Sequence, residues 1–412
     1  MDHRAVILLY LELVFALALL WRDGLLKVRR HRVIAAAGVT LAFLLRYLCM
    51  TYETLDYQDW IRVWIGSLRT TGAWKGLGQE IWSCNYNVPY LYFLAAISKS
   101  DVYDLYLVKL TSIFFDVLLA FFTMRLVGLF HDSPARQLTA FVGVLWLPTV
   151  VLNGALWGQC DVIYAAFAVL GVYLALADRP AASVAAIAVS VSFKLQGIFL
   201  LPAYFAFFLG RRIKFRQLFV FPAVYIATIL PAALAGRSLW ELIMLYYNNT
   251  STIGDGLNYN SSSMYALFDF SALPNAAAAR IGVLIAVFFC GAVFLWLYLR
   301  REEIDDRVLF GVSLLFCIGV PFMLPHMHDR YFFMADILSF ALAVIAPKMS
   351  SVPVLVGFGS LLGYHAYLKM RFLLPMRWGA AAMGLALLLT LGFVIFSFER
   401  RKKVLTNDGN LL

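Results

Sequence analysis

Charged residues are scarce in this chain. They make up 14% of its 412 residues, whereas 62% are apolar. Apolar runs of about 20 residues, the length that crosses the hydrocarbon core of a bilayer, recur along the sequence. These runs lack the ten-residue alternation of barrel strands, which excludes a membrane β-barrel and leaves helices as the spanning elements. We therefore predict an all-α, polytopic integral membrane protein.

Cysteine is also rare. The five cysteines show no CxxC spacing, and an odd number cannot form a complete set of disulfide pairs. We expect no cofactor and no bound metal. The formal charge of +10 comes from short basic clusters where hydrophobic runs stop, which is how membrane topology is encoded. We therefore expect membrane lipids, and no nucleic acid, as partners.

About thirteen spans are predicted, in a single domain covering residues 1–412. The first apolar run lacks a small-residue cleavage site, so we interpret it as a retained span and not as a signal peptide. The basic segment 22–32 that follows it should stay cytoplasmic, which places the N-terminus outside. The predicted spans are 5–21, 33–50, 105–130, 138–152, 162–178, 180–193, 197–210, 217–235, 279–299, 308–325, 331–346, 351–368 and 378–398.

With this count, the basic junctions alternate with a second set that is rich in unusual polar residues. The second set falls on the outer face and includes two long loops, 51–104 and 236–262. The first of these is long enough to hold interfacial helices. One outer junction, residues 369–377 with the sequence "KMRFLLPMR", is basic and breaks the alternation, so either the last spans are miscounted or this loop has a reason to be basic. Polar segments from distant parts of the chain would thus share one membrane face, as a site assembled from several helix ends requires.

Two acids stand close together in the first outer loop. Asp56 and Asp59 lie three residues apart, so one helical turn could present both on the same face. A carboxylate there could act as the general base that takes a proton from an acceptor hydroxyl. The alternative is a pair of solvated loop acids.

Three further outer junctions carry candidate substrate-binding residues, each with a structural alternative. Tyr86 and Asn87 precede a proline and tyrosines that suit a helix entering the interface, so the segment could serve only as an anchor. Asp161, at the start of a span, could instead be an N-cap. Lys194 could hold a phosphate or simply extend to the interface. The candidate substrate contacts are Tyr86, Asn87, Trp157, Gln159, Asp161 and Gln196.

Ionisable groups elsewhere could also meet a phosphate. Lys109 lies inside an apolar span, where it could bind a phosphate or form a structural ion pair, and Asp116 lies near it on the same helix. His326 and His328, with Asp329 beside them, resemble part of a metal site, but an H-x-H pattern needs further ligands and the sequence supplies no compelling third one. Arg330 has a planar donor fork that suits phosphate, to which the two histidines could add hydrogen bonds.

In their order along the chain, these motifs resemble those of the GT-C superfamily of integral membrane glycosyltransferases. They are most similar to bacterial relatives of the second mannosyltransferase of GPI-anchor synthesis. The resemblance covers about residues 54–336 and rests on "LDYQDW", "NYNVPYLYFL", "KLTSIFFD", "ALWGQCDVIY", "FKLQGIFLLP" and "PHMHDRYFFMAD".

The resemblance implies a GT-C-like bundle whose active site lies on the extracytoplasmic face, in a bacterial plasma membrane. Its donor would be a polyprenyl-phosphate sugar, with mannose or glucose as the hexose, and the acceptor a glycan, lipid or protein of the cell envelope. Transfer would usually invert the anomeric centre. By match to the acidic residue of the first outer loop, Asp56 would be the base, with Asp59 second. Lys194, Arg330, His326, His328 and Lys109 would bind the donor phosphate.

Two other functions remain open. A lipid or solute transporter, such as a flippase of a glycan-assembly pathway, would also gather ionisable groups within a helical bundle. It would favour charges at the membrane midplane and internal repeats, whereas the polar motifs here gather at one face. A non-catalytic subunit of a glycan-assembly complex is the third possibility.

Overall fold

A computed structural model describes residues 2–248 and 254–409, the last eight of them by backbone alone. Helices dominate it. Up to residue 176 the α-helices are α1 (His3–Arg22), α2 (Arg29–Cys49), α3 (Arg62–Thr70), α4 (Val88–Ile97), α5 (Asp104–Phe130), α6 (Pro134–Trp146), α7 (Pro148–Val150) and α8 (Asp161–Leu176). They continue as α9 (Pro180–Phe193), α10 (Leu201–Leu209), α11 (Phe215–Leu218), α12 (Val220–Leu234) and α13 (Leu239–Asn248). The last are α14 (Met264–Leu267), α15 (Asn275–Leu299), α16 (Asp306–Met323), α17 (Phe333–Ile345), α18 (Ser351–Leu368) and α19 (Met376–Gly409).

Shorter elements connect these helices. Two short strands, β1 (Asn258–Tyr259) and β2 (Met327–His328), pair in parallel. The π-helical segments are Tyr57–Ile61 and Val151–Trp157. The 3₁₀ segments are Lys75–Gly78, Leu195–Leu200, Arg301–Glu303 and Pro347–Met349.

Within the described residues, eight helices are long and apolar enough to cross a membrane, or nine if α6 and the bent segment Pro148–Trp157 form one span. The prediction of an all-α, multi-pass membrane protein is confirmed. All thirteen predicted spans coincide with helical segments. Four of them, however, match apolar helical segments of only 10–17 residues: α8, α9, Leu195–Leu209 and α17. The number thirteen therefore stays a prediction.

The two predicted outer loops contain secondary structure. Residues 51–104 contain a π-helical turn, α3, a 3₁₀ turn and α4, which agrees with the helices expected in this loop. The predicted loop 236–262 is not a plain connection, because α13 and β1 occupy parts of it. Residues 249–253 of this loop lie outside the described chain.

The chain divides into two compact units. Among the described residues, unit 1 comprises 2–173, 184–197 and 219–248, and unit 2 comprises 174–183, 198–218 and 254–409. In unit 1, α5 packs against α1, α4 and α6. In unit 2, α16 is buried along almost its whole length among α10, α15, α17 and α19. The exposed face of α15, with Phe288 at 77% exposure, suits contact with lipid tails.

Candidate functional site

Asp56 lies half-buried just before the π-helical turn Tyr57–Ile61, between α2 and α3. Two side chains donate hydrogen bonds to its Oδ2. They are the indole Nε1 of Trp157, at 2.8 Å, and the amide Nε2 of Gln159. Trp157 is fully buried and Gln159 is 2% exposed. The carboxylate is thus held in one orientation by buried donors, while the residue itself keeps some contact with solvent.

A sharp turn at the end of the second π-helical segment presents both donors. The segment Val151–Trp157 ends at Gly158, whose φ of +80° lies in the left-handed region that glycine adopts without a Cβ clash. The Gln159 N–H then donates to the carbonyl of Asn153 at 2.9 Å, which closes the turn. The reversal aims the Trp157 and Gln159 side chains at the same carboxylate oxygen.

Neighbouring elements fix this turn from two sides. The hydroxyl of Thr54 donates to the carbonyl of Trp157 at 2.8 Å, and the hydroxyl of Ser112 on α5 donates to the carbonyl of Gln159 at 2.7 Å. A Cβ on Gly154 would lie 3.1 Å from the Ser112 Cβ, so glycine permits the close approach to α5. The donors of Asp56 therefore sit on a backbone that is held by its surroundings.

Tyr86 connects the Asp56 cluster to a cation. Its hydroxyl donates to Gln159 Oε1 at 3.1 Å, and its ring centroid lies 5.0 Å from the Lys194 Nζ. The rings of Trp64 and Tyr90 pack around it, at centroid distances of 5.4 and 5.2 Å. The ring thus stands between an amide bonded to Asp56 and an ammonium, in a geometry suited to a cation–π interaction.

Lys194 forms a buried ion pair with Asp161, the first residue of α8. The exposures of the two residues are 7% and 1%. The Asn153 Nδ2 donates to the second carboxylate oxygen of Asp161 at 2.8 Å. Asp161 therefore orients the lysine and balances its charge. An ammonium group carries three hydrogens, and one of them serves the ion pair with Asp161.

These residues come from three junctions that the sequence analysis assigned to the outer face, and the first of them, the loop 51–104, supplies both Asp56 and Tyr86. The structure brings them together in unit 1, although more than 130 positions separate the first from the last. The cluster consists of Asp56, Tyr86, Trp157, Gln159, Asp161 and Lys194.

Asp59 differs from Asp56 in its surroundings. It is exposed, whereas Asp56 is half-buried and bonded to two donors. The expectation that both acids share one face assumed the spacing of an α-helix. The chain instead forms a π-helical turn that begins directly after Asp56 and contains Asp59. The geometry favours Asp56 over Asp59 as the reactive acid.

Lys109 caps the end of a neighbouring helix. The side chain is fully buried, and its Nζ donates to the carbonyls of Cys49 and Tyr52 at 2.8 and 2.6 Å. These carbonyls lie at and just after the C-terminus of α2, where a cation is favoured by the helix dipole. The observed role of Lys109 is structural, and its contact with a phosphate stays a prediction.

Arg46 is a key residue that the sequence analysis did not identify. Its Nε donates to Asp116 Oδ2 at 2.9 Å, and both residues are fully buried. Its Nη1 donates to the carbonyls of Ala42 and Leu145, at 3.1 and 2.9 Å. Asp116 thus forms an ion pair with a residue of another helix, which is the structural role that the sequence analysis gave as an alternative to phosphate binding. A lone arginine in the apolar stretch "AFLLRYLCM" was the available signal.

Two further predicted contacts have different settings. Asn87 is the N-cap of α4, since its Oδ1 accepts from the Val88 N–H at 2.8 Å, and its Nδ2 donates to the Tyr225 hydroxyl at 3.1 Å. Both ends of this amide are occupied within the protein. Gln196 is 8% exposed, and its Oε1 has no hydrogen-bond partner among the described residues. Gln196 therefore keeps an acceptor for a ligand.

His326, His328 and Arg330 belong to unit 2. The Nδ1 of His326 lies 2.8 Å from the Gly256 carbonyl, and the His328 ring stacks on Tyr259 at a centroid distance of 4.7 Å. Arg330 lies beside Asp329, with 3.5 Å between Nη1 and Oδ1. The histidines of this motif thus support the strand pair β1–β2, and their contact with a phosphate stays a prediction.

The shifted pKa values of Glu53 and Cys84, which lie in the same loop as Asp56, bear on the chemistry of the site. Hydrogen bonds from the Tyr103 hydroxyl and the Gln58 amide lower the pKa of Glu53, which therefore stays ionised at neutral pH. Burial raises the pKa of the Cys84 thiol to about 12. A thiol that stays protonated at neutral pH is a poor nucleophile. Cys84 is therefore not a candidate for covalent catalysis.

The cluster in unit 1 offers a half-buried carboxylate, an ammonium and several amide and hydroxyl groups. Among residues 2–248 and 254–409, no three His, Cys, Asp or Glu side chains lie together as metal ligands. The chemistry that these groups offer is acid–base catalysis and anion binding. No protein-family model and no curated protein matches the chain.

Proposed function

We propose that this protein is a membrane glycosyltransferase that moves a hexose, mannose or glucose, from a polyprenyl-phosphate donor to an acceptor hydroxyl. The observation that carries the proposal is the setting of Asp56. Two buried donors hold its carboxylate, and Tyr86 and Gln159 connect it to the ammonium of Lys194. A base and a cation in one cluster match the two demands of glycosyl transfer, which are activation of the attacking hydroxyl and stabilisation of the leaving phosphate.

Asp56 acts as the general base in this proposal. Its carboxylate accepts the proton of the acceptor hydroxyl while the hydroxyl oxygen attacks the anomeric carbon. The bond from that carbon to the phosphate oxygen breaks, and its electron pair leaves with the polyprenyl phosphate. Attack from the face opposite the phosphate inverts the anomeric centre. The hydrogen bonds from Trp157 and Gln159 keep the carboxylate in the orientation that the proton transfer needs.

Lys194 binds the phosphate in this proposal. Its ion pair with Asp161 holds the ammonium in place without using all three of its hydrogens. The cation is then oriented before the substrate arrives, and the negative charge that develops on the leaving phosphate meets it directly. Gln196, two residues further on, offers its buried carbonyl oxygen to a hydroxyl of the donor.

The donor class follows from the site of transfer. Nucleotide sugars are cytoplasmic, so a transferase that acts on the extracytoplasmic face needs a sugar already carried across the membrane on a lipid. We place the reaction at that face of a bacterial plasma membrane. The junctions that supply the Asp56 cluster are those that the charge pattern assigns to the outside.

The test is sugar transfer by the purified protein in lipid nanodiscs. Radiolabelled polyprenyl-phosphate mannose and glucose are the donors, and envelope extract from the producing bacterium supplies the acceptor. We expect labelled product from the wild type. A positioned base typically supplies about 10²–10⁴-fold in rate, so Asp56→Asn should lose that much turnover and still bind the donor.

Two matched variants sharpen this test. Glu80→Gln removes an exposed acid from the same loop and should leave turnover unchanged. Asp59→Asn should also remain active. If Asp59→Asn is silent and Asp56→Asn active, the base is Asp59. Full activity of both would end the proposal of a carboxylate base in this loop. Movement of labelled lipid across the bilayer without sugar transfer would instead favour the transporter alternative.

A further inference from the structure

Unit 2 contains an open groove that the proposed function does not use. Its volume is about 510 Å³. Its lining includes Asn258 and Asn260, together with Phe372 from the segment that joins α18 to α19 and Arg377 from the first turn of α19. An arginine and two amides supply hydrogen-bond donors, and the phenylalanine supplies an apolar wall. This combination suits a ligand with an anionic group next to other polar groups and an apolar part.

The segment that joins α18 to α19 is basic where the topology pattern predicts few basic residues. Lys369 and Arg371 lie in this segment, and Arg377 follows in the first turn of α19. Both flanking helices, α18 and α19, are long and apolar enough to cross a membrane, so this segment lies at a membrane surface. If this junction lies outside, as the predicted span count places it, its three cations depart from the positive-inside pattern, and anionic headgroups would balance their charge.

The same segment exposes large apolar side chains. Met370 is 74% exposed, Phe372 59% and Leu373 63%, and Trp378 at the start of α19 is 55% exposed. Neighbouring apolar and basic residues next to a membrane span are typical of a segment that enters the headgroup region. The apolar side chains then reach the acyl boundary while the cations meet lipid phosphates.

The walls of the groove are fixed by close packing. The Ser262 hydroxyl donates to the Gly359 carbonyl at 2.7 Å, and a Cβ on Gly379 would lie 2.3 Å from the Ser262 Oγ. The Asn258 amide is held too, since its Oδ1 accepts from the Ser261 N–H and its Nδ2 donates one of its two hydrogens to the Ser261 carbonyl. The polar wall therefore has its shape before any ligand binds.

We propose that this groove binds the headgroup of an anionic glycerophospholipid of the surrounding bilayer. Arg377 holds the phosphate, and the amides of Asn258 and Asn260 hydrogen-bond to the polar headgroup beyond it. The exposed apolar residues of 369–374 follow the first carbons of the acyl chains. The site is separate from the Asp56 cluster, and its occupancy does not depend on any reaction there.

The test is lipid retention by the full-length protein, measured by native mass spectrometry from detergent micelles. The protein is equilibrated with an equimolar mixture of phosphatidylglycerol and phosphatidylcholine. We expect one phosphatidylglycerol molecule per chain to be retained in preference to phosphatidylcholine. Arg377→Gln should weaken this binding about tenfold or more, because it removes a charge-assisted hydrogen bond to the phosphate.

Matched variants separate a built site from diffuse charge. Arg371→Gln removes the same charge from the same segment but outside the groove lining, and it should leave retention unchanged. Asn260 has φ +58°, so Asn260→Gly deletes the amide while keeping a conformation that glycine adopts readily. This variant should weaken retention several-fold. Unchanged thermal unfolding of all three variants verifies that they fold.

Three results would overturn the proposal. Equal losses in Arg371→Gln and Arg377→Gln would mean that the segment attracts anions without a defined site. Equal retention of phosphatidylcholine would mean that no anion is recognised. Displacement of the bound lipid by millimolar glycerol phosphate would identify a soluble phosphate compound as the ligand.

Discussion

Two polar clusters in unit 1 contact the same short segment, residues 145–159, and differ in how deeply they are buried. The Arg46–Asp116 pair is fully buried, and the guanidinium also binds two backbone carbonyls. Asp56 is half-buried and receives donors from side chains that are themselves held in place. The first cluster consists of internal contacts next to a bend, whereas the second leaves Asp56 partly open to solvent. Burial therefore separates a structural ion pair from a candidate catalytic acid.

Arg46→Met provides the strongest test of this comparison. It leaves Asp116 buried without its cation and removes a donor from the Leu145 carbonyl, next to the bend between α6 and α7. Breaking a buried ion pair in this way costs about 3–5 kcal/mol. We expect a large fall in unfolding temperature in detergent, together with loss of activity, because the bend leads into the turn that positions Trp157 and Gln159.

Controls for this variant come from the same chain. Arg125 pairs with Asp23 near the surface with 45% of its side chain exposed, and such pairs contribute at most about 1 kcal/mol. Arg125→Met should therefore change stability little. Arg46→Met combined with Asp116→Leu should recover part of the stability, but the carbonyls of Ala42 and Leu145 would still lack their donor. Equal effects of Arg46→Met and Arg125→Met would remove the distinction between the two pairs.

Removing the donors of Asp56 tests the other cluster. Trp157→Phe and Gln159→Met each delete one hydrogen bond to the carboxylate and keep most of the side-chain volume. A hydrogen bond to a charged group contributes about 1.5–3 kcal/mol, so we expect roughly 10–100-fold lower kcat in each variant. Transfer assays and thermal unfolding should be measured together. A loss of stability as large as that of Arg46→Met would show that these donors are mainly structural.

Lys194 has features of both clusters, since it is buried and paired but is also a candidate ligand for a phosphate. We expect Lys194→Met to raise the KM for the donor about tenfold, because it removes a charged hydrogen bond to the phosphate. The variant also leaves Asp161 without its cation. The double variant Lys194→Met/Asp161→Asn relieves that charge and should recover stability while keeping the high KM. Recovery of the KM as well would assign Lys194 a purely structural role.

The helical fold could be predicted from the sequence because apolar length and continuity determine it directly. The meeting of Asp56, Trp157 and Gln159 was partly predictable, since the charge pattern assigned their junctions to one membrane face. The partners within the cluster were not predictable. The ion pair between Lys194 and Asp161 joins positions 33 residues apart across two helices, and no local pattern specifies it.

Two differences between expectation and structure have the same origin. The spacing of Asp56 and Asp59 was interpreted as α-helical, but Asp59 lies within a π-helical turn that begins directly after Asp56. Arg46 was overlooked because a single arginine at the end of a span resembles an interfacial anchor. In both cases contacts with distant residues determine the local structure. The buried side chain of Arg46, for example, is stabilised by its ion pair with Asp116.

The smallest expected effect concerns Glu53, an acid three residues before Asp56. The Tyr103 hydroxyl is the main cause of the lowered pKa of Glu53. A carboxyl group with a lowered pKa contributes stability at neutral pH, and this contribution is lost as pH falls through the lowered pKa of the folded state. Tyr103→Phe should therefore be slightly less stable than the wild type at pH 7, by less than about 1 kcal/mol at so exposed a group.

The difference in stability between the wild type and Tyr103→Phe should disappear as the pH is lowered below about 4, the range in which an ordinary glutamate becomes protonated. Thermal unfolding between pH 3 and 7 measures it. Phenylalanine keeps the ring that packs against Tyr57 and Tyr106, so a difference that persists unchanged at low pH would point to packing instead of charge. Sugar transfer at pH 7 should be unaffected, because a hydrogen bond to Glu53 orients no group of the Asp56 cluster. Removing the Trp157 donor from Asp56 should, by contrast, reduce sugar transfer strongly. The effect of losing a hydrogen-bond donor therefore depends on whether its acceptor belongs to the Asp56 cluster.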